Sequence, residues 1–108
     1  MPKYLWQVNY TAEGADGLLA EGGSGRRDAV QRMLESVGGK LEVFYYALGS
    51  DDLVVIGELP DNVSAAALSL VTSAGGAARS RTTVLLAPED IDEASRRSVE
   101  YRRPGADA

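Results

Sequence analysis

The chain contains neither cysteine nor histidine. Without cysteine there is no disulfide framework and no thiolate metal site, so a reducing compartment is expected. Without histidine, imidazole zinc centres, histidine-ligated haem and the usual general base at neutral pH are excluded together. A metal would have to be held by carboxylates alone, and neither a metal nor another cofactor is expected. Positive charge is also short: 11 Lys and Arg stand against 16 Asp and Glu, a net charge of -5, the wrong sign for binding a phosphate backbone. Long apolar runs are missing too. Nothing approaches the roughly 18 residues of a membrane span, and Met1-Pro2-Lys3-Tyr4-Leu5-Trp6 lacks a signal-peptide core. The expectation is a cytoplasmic protein with no nucleic-acid and no membrane partner.

What is present describes one folded domain. At 108 residues, with 44% apolar and 25% charged residues, the chain can build one core and lies far from the disordered regime. Tyr4, Trp6, Val8 and Tyr10 alternate with Leu5, Gln7 and Asn9, the period-two pattern of a strand. Residues 11–24 carry four glycines and no sustained period, which predicts a long loop with one helical turn around Ala15, Leu18 and Leu19. Ser24 then caps a helix whose apolar face is Ala29, Val30, Met33, Leu34 and Val37, stopped by Gly38-Gly39. Residues 40–48 and 53–59 predict an antiparallel hairpin across the turn Gly49-Ser50-Asp51-Asp52. Pro60-Asp61-Asn62 caps a second helix with Val63, Ala66, Ala67, Leu70, Val71 and Ala74 as its apolar face, and Gly75-Gly76 ends it. Residues 78–87 predict the fourth strand. Beyond Pro88 a short helix follows, acidic at its start and basic at its end as the helix dipole prefers, and residues 101–108 predict a frayed tail.

The order βαββαβ is the split βαβ, ferredoxin-like arrangement: an α+β domain over residues 1–87 with four antiparallel strands, two helices on one face, and a C-terminal helix and tail over residues 88–108. Strict alternation in the second strand places Leu41, Val43 and Tyr45 on one side and Phe44, Tyr46 and Leu48 on the other. Both sides are substantially apolar, so the face away from the helices needs a cover. A second copy packed sheet to sheet is the simplest one, and a homodimer is expected.

The chain resembles the GYD family of small bacterial proteins through Tyr4, Asn9-Tyr10-Thr11, Gly14, Arg27, Gly38-Gly39-Lys40-Leu41-Glu42, Phe44-Tyr45, Leu48-Gly49, Asp52 and Pro60-Asp61. The similarity spans roughly Tyr4 to Ala87, and it implies a dimeric α+β barrel with no assigned reaction. The family's Gly-x-Tyr-Asp turn stands here as Gly49-Ser50-Asp51-Asp52, with Asp51 in place of the tyrosine.

Several polar and aromatic residues are candidates for a site. Gln7 and Asn9 lie on a central strand, where amides must find partners, and they are expected to line a pocket for a small molecule. Tyr45 and Tyr46 can wall such a pocket, and Arg27, at a helix N-terminus where a cation gains nothing from the dipole, suggests an anion-binding or inter-subunit role. The carboxylates of Asp51 and Asp52 could serve acid–base work or a cation, but Gly49 and Asp52 are also what a turn requires, and the turn reading is preferred. These features predict a dimeric small-molecule binding or regulatory module with a mostly apolar pocket. The alternative is a cofactor-independent oxygenase or isomerase acting on an aromatic metabolite.

Overall fold

The computed structural model describes residues 1–106 of the chain. Its elements are β1 (Lys3–Tyr10), α1 (Ala12–Ser36), β2 (Lys40–Tyr46), β3 (Leu53–Glu58), α2 (Asn62–Gly75), β4 (Ala78–Leu85) and α3 (Pro88–Ser95). The strands form one antiparallel sheet in the order β2-β3-β1-β4, the ferredoxin-like order, with β1 central as expected. Tyr4, Trp6 and Val8 of β1 and Leu53 and Val55 of β3 pack against Leu34 of α1 and Ala65 and Leu68 of α2. Both long helices therefore cover the same face. The opposite face carries Leu5, Val43, Val54 and Ile56, all partly exposed in one chain. Among the described residues no helix is long and apolar enough to cross a membrane.

The segment expected to be a loop is helical. α1 begins at Ala12, capped by Thr11 rather than by Ser24: the Thr11 hydroxyl accepts the Gly14 N–H at 3.2 Å and donates to the Gly76 carbonyl at 2.9 Å. Ala12, Ala15, Leu18, Leu19 and Ala20 are good helix formers, and this propensity outweighs Gly14 and Gly17 among them. Gly14 is there for contact. A Cβ on it would lie 1.9 Å from the Ala77 carbonyl oxygen, so the first turn of α1 rests on the chain entering β4. The helix kinks at Gly22, where φ is 81°, and continues to a stop at Gly38, φ 82°.

The second helix is turned away from its expected orientation. Ala65 and Leu68 are its buried residues, whereas Val63, Leu70 and Val71 are 78%, 72% and 68% exposed. The helix carries apolar residues on two sides, so periodicity alone could not choose between them. Strict alternation also fails in β2. A bulge between Leu41 and Val43 moves Leu41 to the helix side, opposite Gly57, together with Phe44 and Tyr46. β4 ends two residues earlier than expected, and the final two residues of the tail, Asp107 and Ala108, lie outside the described residues.

Candidate functional site

A cavity of about 140 Å³ lies between α1, α2 and the sheet. Its floor is Trp6 and Val8, its walls are Val30 and Met33 of α1 and Leu68 of α2, and the lining is overwhelmingly apolar. The orientation of α2 accounts for it. By turning Ser69 and Thr72 toward the sheet instead of Leu70 and Val71, the helix fills less of the space beneath it and leaves two hydroxyls on the wall. Ser80 of β4, opposite Val8, adds a third.

Tyr10 and Arg26 give the cavity its polar end. Arg26, which follows the Gly22 kink, reaches the cavity and pairs with Glu21 at 3.4 Å. Tyr10 is half-buried, with its N–H donating to Asp52 Oδ2 at 2.9 Å. Burial pushes its hydroxyl up to about 12, with nearby Tyr46, Glu21 and Asp52 adding to the effect and Arg26 opposing it. Burial likewise raises Tyr46, whose hydroxyl donates to the Gly23 carbonyl at 3.1 Å. At neutral pH Tyr10 is therefore a protonated hydrogen-bond donor, not a base.

This raised value has a measurable consequence. The folded chain holds the Tyr10 proton more tightly than the unfolded chain, so its contribution is complete below the ordinary tyrosine value of 10 and is lost as the pH climbs through about 12. Wild-type melting temperature should fall over that alkaline window. In Tyr10→Phe the fall should be shallower, and parallel curves for the two proteins would contradict the assignment.

The five residues proposed from sequence divide between two places. Gln7 and Asn9 point to the sheet face opposite the cavity, and both amides donate to Asp51, at 3.1 and 3.5 Å. Arg81 of β4 joins them, with Nη2 2.7 and 3.0 Å from the two Asp51 oxygens. Asp51 is only 12% exposed, so the substituted turn residue anchors a polar cluster across β1 and β4. Arg27, Tyr45 and Tyr46 meet instead in a shallow groove with Gly23, Ser24 and Phe44. Tyr45 faces the open side of the sheet, opposite Val54, and Tyr46 the helix side, opposite Leu53.

The two turn carboxylates diverge, Asp51 to the amides and Arg81 on the open face and Asp52 to the backbone of β1. Asp52 ties the turn to β1 through the Tyr10 N–H, and its own N–H donates to the Val8 carbonyl at 2.9 Å. Asp52→Ala should lower stability by about 1 kcal/mol in a urea melt, the ordinary value of one such bond. No loss at all would place Asp52 outside the fold's support.

The sequence model of the GYD domain matches residues 4–95, which is most of the chain. The chain belongs to the GYD domain family. The match runs past β4 and through α3. None of the curated proteins compared with it matches. The residues of the cavity's polar end, Tyr10 and Arg26, fall within the matched span, as do Asp51 and Arg81.

Proposed function

We propose that this GYD domain is a homodimeric small-molecule binding module whose ligand occupies the cavity between the helices and the sheet. The observation that carries the reading is an apolar cavity of about 140 Å³ whose lining includes the Tyr10 hydroxyl and a single guanidinium, that of Arg26. Its size matches a cavity of roughly 150 Å³ that takes up benzene, so the ligand is a single ring or an alkyl group of that bulk. Tyr10 and Arg26 favour a ring bearing a hydroxyl or carboxylate, because a protonated phenol donates and the guanidinium supplies charge. Trp6 supplies an aromatic surface for the ring. A second copy covers the open sheet face, where apolar Leu5, Val54 and Ile56 surround the Asp51 cluster.

Thermal-shift screening with substituted phenols and benzoates should raise the melting temperature, and mass spectrometry should recover each ligand unchanged. Conversion of a bound ligand by the wild-type protein would replace the binding reading with a cofactor-independent enzyme.

A further inference from the structure

Among the described residues the C-terminal arm makes no extensive contact with the rest of its chain. From Leu86 to Gly105 every residue is exposed, and α3 makes no extensive contact with any other element. The arm is nevertheless not a polar tail. Leu86, Ile91, Val99 and Tyr101 are 64%, 55%, 80% and 75% exposed. It also stretches the molecule, which measures 61 × 31 × 24 Å and has a radius of gyration of 17.7 Å, against about 13 Å for a compact chain of this length.

The exposed area points the same way. The chain exposes 7633 Å², whereas a compact monomer of 11.4 kDa exposes about 5,800 Å². The difference, roughly 1,800 Å² per chain, is far more than the 800 or so Å² per partner of a standard interface, and doubled it falls in the range of obligate dimers. A second apolar surface is equally unpartnered: the outer side of α2, with Val63, Leu70 and Val71, on a helix without a charged residue.

We propose that residues 86–101 form an exchange arm that clasps a second copy of the chain, seating Val99 and Tyr101 on the outer side of the partner's α2. The reach suffices for the far end of the arm: two extended residues, eight of helix and four more extended residues carry Val99 about 30 Å from the start of the arm. That exceeds the roughly 20 Å of one sheet-to-sheet and one sheet-to-helix layer. The inference rests on the dimer proposed above and adds the segment that locks it.

Sedimentation of the full chain tests it, using substitutions at side chains already exposed within one chain, so that the fold has little to lose. Val99→Asp and Leu70→Asp should each weaken the dimer at least about tenfold, the worth of one buried aliphatic side chain. The double variant should weaken it no more than the stronger single one, because both changes remove the same contact. A dimer indifferent to Val99→Asp overturns the clasp and leaves sheet-to-sheet pairing standing. Fully additive effects overturn the α2 seat. A wild-type chain that sediments as a monomer overturns the clasp and the dimer together.

Discussion

Gly14→Ala is expected to destabilise the protein by about 2–3 kcal/mol, which for a domain of this size lowers the melting temperature by about 10 °C or more. Two effects oppose each other at this position. Alanine is the better helix former by about 1 kcal/mol, and an exposed interior glycine would normally gain from the change. Gly14, however, is buried against backbone: its Cβ would stand 1.9 Å from the Ala77 oxygen and 2.8 Å from the Ala77 carbonyl carbon, and 3.2 Å from the Tyr10 ring. A carbonyl cannot rotate aside as a side-chain tip can, so α1 must lift off the start of β4. The Thr11 bonds to Gly76 and Ala77 would loosen with it. Gly17→Ala is the matched control, since a Cβ there meets nothing within 4 Å. It should be neutral or stabilising, and a similar loss at both positions would show that the close approach is not what matters.

Ser80→Phe should abolish ligand binding while the protein stays folded. Ser80 lines the cavity from β4 on the helix side of the sheet, across from Val8, and a benzyl group from that position projects into the space assigned to the ligand. A void of about 140 Å³ accommodates an aromatic ring, so the substitution fills rather than crowds. Affinity for a phenol or benzoate ligand should fall at least about a hundredfold, with the melting temperature changed by less than about 5 °C. The open-face variant Asn9→Leu, on the other side of the sheet, should leave that affinity intact. Loss of binding in Asn9→Leu with retention in Ser80→Phe would move the ligand to the face expected from the sequence.

Much of the frame was legible because strands and caps leave local signals. The alternation of Tyr4, Trp6, Val8 and Tyr10, the paired-glycine stops and the Asp61 cap predict β1, the ends of the helices and the ferredoxin-like order, and each is where the structure has it. The first half of α1 was hidden because glycine marks both breaks and close contacts. Gly22 breaks the helix and Gly14 packs it, and the difference lies in Ala77, far along the chain. The side of α2 that is buried was hidden for a related reason: two apolar stripes on one helix are resolved by what the sheet offers, and the sheet accepted the smaller one. That choice created the cavity, so the cavity was hidden with it. Arg26 and Arg27 are equivalent in a pattern, and the kink at Gly22 decides which of them reaches the cavity. Asp51 was legible as a departure from the family turn, but its cluster with Gln7, Asn9 and Arg81 needed the register of β1 against β4.

The most direct measurement uses Trp6, the one tryptophan in the chain, whose side chain forms part of the cavity floor. Titrating the wild-type protein with single-ring phenols and benzoates while following tryptophan emission reads the cavity itself, without a label. The account predicts a saturable change for single-ring ligands. Ser80→Phe should abolish the single-ring response. Ligands that stabilise the protein yet leave Trp6 emission unchanged would contradict it, since they would bind somewhere other than between the helices and the sheet.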